Sequence, residues 1–138
     1  MAIFPEVDWF LKLKDKLNSD TQYARIAHSW EWDLLFAIEA DDTLKEPLYV
    51  HMDLWHGTCR DVKIVEDVKQ VKATFILSAP YQNYVAILSG KLDPMQAMLT
   101  RKLRVQGNMA IMMRNVPTVL DFVRCCREVT DGFLGVAT

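Results

Sequence analysis

The sequence predicts one α+β domain, in which most helices lie near the two ends of the chain and most strands lie in the middle. Apolar residues recur every three or four positions over residues 5–27 and over most of the chain after residue 79, which is typical of amphipathic helices. Between residues 32 and 78 they alternate with polar residues or form short apolar runs, which is typical of strands. With 138 residues, of which 51% are hydrophobic, the chain can bury the core of one domain.

Two helices are expected before the first strand. Pro5 suits the first turn of a helix over residues 5–18, and Asn18-Ser19-Asp20 ends it. Ser19 or Asp20 can cap a second, shorter helix. The apolar side of this pair is formed by Trp9, Phe10, Leu13, Leu17, Tyr23 and Ile26. Such a pair is typical of helices that cover a sheet.

The middle of the chain predicts four strands. Residues 32–40 carry apolar side chains on both faces, so this strand is expected to be buried on both sides. Residues 47–56 alternate, which places Leu48, Val50, Met52 and Leu54 on one face. After a turn at Gly57-Thr58, residues 61–66 are charged and predict an edge strand. Residues 72–78 form the fourth strand.

The last part of the chain predicts helices around one short strand. Ser78-Ala79-Pro80 opens a helix that runs through Leu88. Asp93 can cap the next helix and Pro94 suits its first position. A fifth strand is expected around residues 103–105, followed by a short helix at 108–113. The final helix starts at residues 115–117 and ends at Asp131-Gly132.

Five of the seven methionines fall within residues 89–113. They are Met95, Met98, Met109, Met112 and Met113. Methionine is flexible and polarisable, which suits the wall of a cavity for an apolar ligand but equally suits an ordinary core. Composition and spacing leave both interpretations open.

Several classes of protein are disfavoured by composition. A net charge of −2 gives no support for binding nucleic acid. The sequence has no apolar run of the roughly 18 residues that span a bilayer and no recognisable signal peptide. Its three cysteines include the adjacent pair Cys125 and Cys126, which is no disulfide framework. A cytoplasmic protein is therefore expected.

Catalytic and metal sites are not predicted. His51, His56 and Cys59 lie close in sequence, but strand alternation sends the two histidines to opposite faces. Cys125 and Cys126 have no histidine nearby in sequence to act as a base, so they are expected to pack against neighbouring residues. The five glycines are far apart and form no phosphate-binding loop. We expect no metal, no cofactor and no enzymatic activity.

Residues 89–108 read SGKLDPMQAMLTRKLRVQGN and carry a family resemblance. They are similar to the pattern G-x-L-D-P-x-x-A-M-x-x-x-K-L-x-V-x-G-(D/N) of the sterol carrier protein 2 (SCP2) family. Trp9, Leu13, Leu17, Asn18, Tyr23, Trp30 and the strand Phe36–Glu39 extend the resemblance toward the start of the chain. Two features depart from the family: Thr100-Arg101 stands where relatives often have glycine, and the peroxisomal ending of animal relatives is absent.

The resemblance implies a five-stranded, mainly antiparallel sheet covered on one face by helices. It also implies an apolar tunnel between the sheet and the C-terminal helices, where sterols, fatty acids or fatty acyl-CoAs are held and transferred without catalysis. The expected lipid-contacting residues are Phe36, Leu77, Met95, Met98, Leu103, Met109, Met112, Met113, Val119 and Phe122.

Other interpretations remain open at this stage. The domain could instead serve as an accessory module that presents a lipid-linked substrate to a partner enzyme, or exchange its ligand at a membrane surface. Tyr49 and Trp55 share the outer face of the second strand, either as a homodimer contact or as ordinary cross-strand neighbours. An esterase or thioesterase using Cys59 or His56 is disfavoured, because the base and the group that would orient it are missing.

Overall fold

The computed structural model describes residues 1–136. In chain order the elements are β1 (Ile3–Phe4), α1 (Val7–Ser19), α2 (Thr21–Ile26), β2 (Leu34–Glu39), β3 (Leu48–Trp55), β4 (Thr58–Val65), a short 3-10 helix (Val68–Gln70), β5 (Phe75–Pro80), α3 (Tyr81–Leu88), α4 (Pro94–Leu99), β6 (Arg104–Gln106), α5 (Met109–Arg114), α6 (Val116–Val129) and β7 (Gly132–Phe133).

Five of the strands form one sheet in the order β4-β3-β2-β5-β6. Strand β2 pairs in parallel with β5, and the other neighbouring strands pair antiparallel. The prediction of an α+β fold with a five-stranded, mainly antiparallel sheet is therefore confirmed. The predicted edge position of the charged third strand is also correct, because β4 lies at one end of the sheet.

The sheet has an inner face that packs against helices. Val50 and Met52 of β3 are fully buried on this face, and Phe36 of β2 belongs to the same buried cluster as Trp9 of α1 and Phe122 of α6. On the opposite face of β3, Tyr49, His51 and Asp53 are half-buried and Trp55 is exposed. The period-two pattern of the sequence thus specified which side of β3 faces the helices.

Strands β3 and β4 meet in a tighter turn than the sequence indicated. His56 and Gly57 both have positive φ, at 50° and 81°, and Trp55 pairs directly with Thr58. Two central residues with positive φ define the type I′ turn, whose twist matches that of the flanking strands. Strand β4 therefore begins at Thr58, three residues before the predicted start. Strand β5 likewise extends to Pro80, so α3 begins at Tyr81.

Gly57 offers a test of how closely this turn approaches α2. A Cβ atom at Gly57 would lie 2.8 Å from the backbone oxygen of Ala24, whereas a Cβ at Gly90, which also has positive φ, would meet nothing within 4 Å. We expect Gly90→Ala to lower the free energy of unfolding by about 1–2 kcal/mol, because alanine disfavours the left-handed backbone. Gly57→Ala should lower it by about 1–3 kcal/mol more, because the added methyl group overpacks against Ala24. Urea unfolding of both variants measures this difference, and equal losses would contradict the close approach.

The two ends of the described chain are joined by a small parallel pair that the sequence did not predict. Strand β1 pairs with β7, the Ala2 N–H donates to Asp131 Oδ2 at 2.7 Å, and the Asp131 N–H donates to the Ala2 oxygen at 2.9 Å. Strands of two residues are too short to produce a periodic pattern, so only tertiary contacts reveal them.

A cluster of charges joins α1, α2 and α6. Arg124 of α6 donates from Nη2 to Asp20 Oδ1 at 2.6 Å, from Nε to Asp121 Oδ1 at 2.8 Å and from Nη1 to Glu128 Oε2 at 2.9 Å. The Nζ atom of Lys16 in α1 lies 3.1 Å from Asp20 Oδ2 and 2.7 Å from Glu128 Oε1. Asp121 is buried, and hydrogen bonds from Arg124 and Gln22 to its carboxylate offset the loss of its contact with water.

Candidate functional site

A cavity of about 90 Å³ lies between the inner face of the sheet and the helices. The sheet contributes Leu34, Phe36, Ile38, Leu54 and Leu77 to its wall. The later helices and their connections contribute Tyr84, Ile87, Leu88, Pro94, Met98, Leu103, Met112, Thr118, Val119, Phe122, Val123 and Cys126. Elements near the start of the chain contribute Phe4, Trp9, Phe10, Tyr23 and Trp30.

Local sequence patterns explain how the wall is positioned. Alternation along β2 directs Leu34, Phe36 and Ile38 to one face, and the spacing of three or four residues along α6 brings Val119, Phe122 and Val123 to one side. The rings of Phe36 and Phe122 stack across the interior, with centroids 5.9 Å apart and planes 11° apart.

Helix α4 is fixed as the sequence predicted. The Asp93 side chain accepts a hydrogen bond from the Gln96 N–H at 3.0 Å, and Pro94 occupies the first turn. This cap holds a helix of only six residues, from which Met98 reaches the cavity.

Seven of the ten predicted lipid-contacting residues line this cavity. They are Phe36, Leu77, Met98, Leu103, Met112, Val119 and Phe122. The structure brings these together from β2, β5, α4, α5, α6 and the segment before β6. Their contact with a lipid remains a prediction.

The other three predicted residues lie outside the cavity wall. Met95 is half-buried, while Met109 and Met113 are 41% and 52% exposed. Successive helical residues are rotated by about 100°, so when Met112 points inward Met113 points away from the cavity. Met109 lies four residues before Met113 and shares its side of α5. Sequence reasoning treated the three methionines of α5 as one face, and the structure separates them.

Sequence reasoning also missed the wall residues from the first part of the chain. Trp9 and Phe10 were recognised as the apolar side of a helix, but nothing in their spacing distinguishes a cavity wall from a solid core. Their rings meet edge to face with centroids 4.9 Å apart, and Phe4 meets Trp9 in the same way at 4.8 Å. The cavity depends on how these rings pack against the sheet, which is a tertiary property.

The cavity wall is almost entirely apolar. None of its lining residues is Lys, Arg, His, Asp or Glu. Burial raises the pKa of the Tyr23 and Tyr84 hydroxyls and of the Cys126 thiol, so all three are neutral at physiological pH. The driving force that this site can offer a ligand is therefore the removal of apolar surface from water.

The three histidines and the remaining cysteines, Cys59 and Cys125, lie outside the cavity wall. His51 Nε2 lies 2.6 Å from Asp33 Oδ2, and His56 Nε2 lies 2.8 Å from Glu31 Oε2. Burial raises the pKa of the Cys59 thiol to about 11, which disfavours the reactive thiolate. Cys125, which is also buried, has its pKa raised to about 11.

One group of possible metal-binding side chains occurs in residues 1–136. Asp20, Asp121 and Cys125 offer donor atoms within 4.8 Å of one another. Arg124 already donates to both of these carboxylates. This arrangement is that of an ion-pair cluster, in which the guanidinium supplies the positive charge. Within the same residues, no helix combines the length and the apolar character needed to cross a bilayer.

The fold and the cavity define a class of α+β domain that encloses an apolar space between a sheet and the helices covering it. The model of the SCP-2 sterol transfer family matches residues 10–119. This chain therefore belongs to the SCP-2 sterol transfer family, and the resemblance noted in residues 89–108 is confirmed.

Solved structures agree with this assignment. A crystal structure of sterol carrier protein 2 is 29% identical and has a TM-score of 0.81, with 89% of this chain and 96% of that chain covered. The solution structure of a Thermus thermophilus protein described as possibly a sterol carrier protein is 28% identical, with a TM-score of 0.83 and coverage of 96% and 93%. UbiJ-SCP2, a ubiquinone synthesis protein, shares the fold at 14% identity and a TM-score of 0.53, with coverage of 94% and 95%. Comparison with curated proteins finds no significant match.

Proposed function

We propose that this protein binds the apolar part of a lipid in the cavity and transfers the lipid without changing it chemically. The observation that carries the proposal is a wall of apolar residues with no side chain that is charged at neutral pH. Burial of each lipid methylene in such a site contributes about 0.8 kcal/mol. Membership of a sterol transfer family supports the same function.

The size of the cavity indicates how a long ligand would fit. An engineered apolar cavity of about 150 Å³ in another protein binds benzene, so a space of about 90 Å³ holds only part of a lipid. The proposal therefore includes an outward shift of the wall when a ligand binds. Met98 and Met112 each lie on a helix of six residues, and methionine adapts its shape easily. We propose that α4 and α5 supply this adjustment.

Two measurements test the proposed function. Protein purified without detergent should carry a lipid that native mass spectrometry detects as added mass, and organic extraction should release it. After extraction, the protein should bind the hydrocarbon fluorophore diphenylhexatriene at a saturable site. The burial of apolar surface alone favours the binding of this probe, because it has no polar group. A protein that carries no lipid and does not bind the fluorophore would contradict lipid binding.

A further inference from the structure

Most polar side-chain groups in the cavity wall are already hydrogen-bonded within the protein. The four bonded donors and their acceptors are Trp9 Nε1 to Thr130 Oγ1 at 2.8 Å, Trp30 Nε1 to the Trp32 oxygen at 2.7 Å, Tyr84 Oη to the Leu77 oxygen at 2.6 Å and Thr118 Oγ1 to the Ile26 oxygen at 3.3 Å. Each therefore has little need for a partner from a ligand.

The hydroxyl of Tyr23 differs from these groups. Its side chain lines the cavity and is 1% exposed, and within residues 1–136 its hydroxyl makes no hydrogen bond. The hydrogen bonds that Tyr23 does make come from its backbone: its N–H donates to Asp20 Oδ1 at 2.8 Å, and its carbonyl oxygen accepts from the Ala27 N–H at 2.8 Å. No side-chain oxygen or nitrogen in these residues is both fully enclosed and without a partner. The Tyr23 oxygen therefore still borders open space, and the Tyr23 side chain forms part of the cavity wall.

A buried hydroxyl without a partner is uncommon, because it has lost its hydrogen bonds to water and gained none in return. A phenol can donate one hydrogen bond and also accept one. Since burial raises the pKa of Tyr23, the group stays protonated and retains its donor at neutral pH. A protonated hydroxyl at the wall of an apolar cavity is suited to donate a hydrogen bond to an oxygen atom of a ligand.

We infer that the Tyr23 hydroxyl hydrogen-bonds an uncharged oxygen, a hydroxyl or carbonyl group, of the lipid held in this cavity. The inference rests on the proposed function and adds a ligand class to it. An ionised carboxylate is disfavoured at this point, because the cavity wall contains no cationic side chain to balance its charge. The favoured ligands are therefore neutral lipids with a single hydroxyl or carbonyl group, with that group directed toward α2.

The test compares Tyr23→Phe with Tyr49→Phe. Decan-1-ol and decanoate are measured as competitors of diphenylhexatriene, whose direct binding reports a ligand without oxygen. We expect Tyr23→Phe to weaken decan-1-ol binding about fivefold, the factor that corresponds to a net hydrogen bond of about 1 kcal/mol. Diphenylhexatriene binding should not change, and decanoate should bind the native protein more weakly than decan-1-ol.

Tyr49→Phe is the matched control, because it removes a tyrosine hydroxyl from the outer face of β3, outside the cavity wall. It should leave the affinities for decan-1-ol and for diphenylhexatriene unchanged. Tyr23→Phe should leave the melting temperature of the extracted protein unchanged or raise it, because the hydroxyl it removes has no partner in the protein.

Three results would overturn the inference. Unchanged decan-1-ol binding in Tyr23→Phe would show that the hydroxyl takes no part. An equal loss for decan-1-ol and diphenylhexatriene would show a packing effect. A decanoate affinity that equals that of decan-1-ol and falls with it in the variant would show that the site accepts a charged group. If the native protein binds neither decan-1-ol nor diphenylhexatriene, it is the proposed function that fails.

Discussion

Replacing Met112 with tryptophan is expected to weaken the binding of apolar ligands at least tenfold. Met112 is 2% exposed and lines a cavity of only about 90 Å³, so the larger indole would fill space that a ligand needs. The extra volume should also cost about 1–3 kcal/mol of stability, because cores tolerate overpacking poorly. Titration with diphenylhexatriene should show at least a tenfold loss of affinity, about 1.4 kcal/mol.

The neighbouring residue provides a matched control for this change. Met113 is 52% exposed and does not line the cavity, so Met113→Trp makes the same substitution one position away. It should retain the affinity of the native protein for diphenylhexatriene. Equal binding by the native protein and both variants would contradict the cavity as the ligand site, and equal loss in both would point to a general disturbance of α5.

Replacing Arg124 with methionine is expected to have the largest effect on stability. The change keeps much of the apolar stem but removes the positive charge shared by Asp20, Asp121 and Glu128. Asp121 is 6% exposed, and a buried carboxylate that loses its ionic partner is strongly destabilising. We expect a loss of about 2–4 kcal/mol in the free energy of unfolding, measured by urea denaturation at pH 7.

The pH dependence of this loss identifies its electrostatic origin. The hydrogen bond from Arg124 holds the pKa of Asp20 well below its usual range, so the folded protein favours the ionised carboxylate. In the unfolded chain the same group binds a proton near pH 4. Its contribution to stability is therefore complete above that value and is lost as the pH falls below it. The difference between native protein and Arg124→Met should shrink between pH 7 and pH 3, and a constant difference would indicate lost packing instead.

The sheet was largely predictable because the sequence patterns that specify its strands are local. Alternation in β3 identified Val50 and Met52 as inward residues before any pairing was known, and both are fully buried. The capped start of α4 was predictable for the same reason, since Asp93 and Pro94 act within one turn. The parallel pairing of β2 with β5 was not, because it joins residues about forty positions apart.

The cavity was only partly predictable. Methionine content directed attention to α4 and α5, yet the same content did not distinguish Met112 from Met113, because that distinction depends on the rotation of a short helix against the sheet. The sequence placed Tyr23 on the apolar side of a helix. That its hydroxyl lacks a hydrogen-bond partner depends on the tertiary positions of all the neighbouring donors and acceptors. The Arg124 cluster was likewise hidden, since Asp20 lies a hundred residues earlier in the chain.

The parallel pair between β1 and β7 has a consequence for the order of events during synthesis. Residues 3 and 4 leave the ribosome before their partners at 132 and 133, which are made more than a hundred residues later. Phe4 borders the cavity and stacks on Tyr81 with ring centroids 5.9 Å apart, so this part of the wall depends on that late pairing. We expect the nascent chain to form its sheet before its cavity is closed, and to retain a lipid only after residues 132 and 133 have been made.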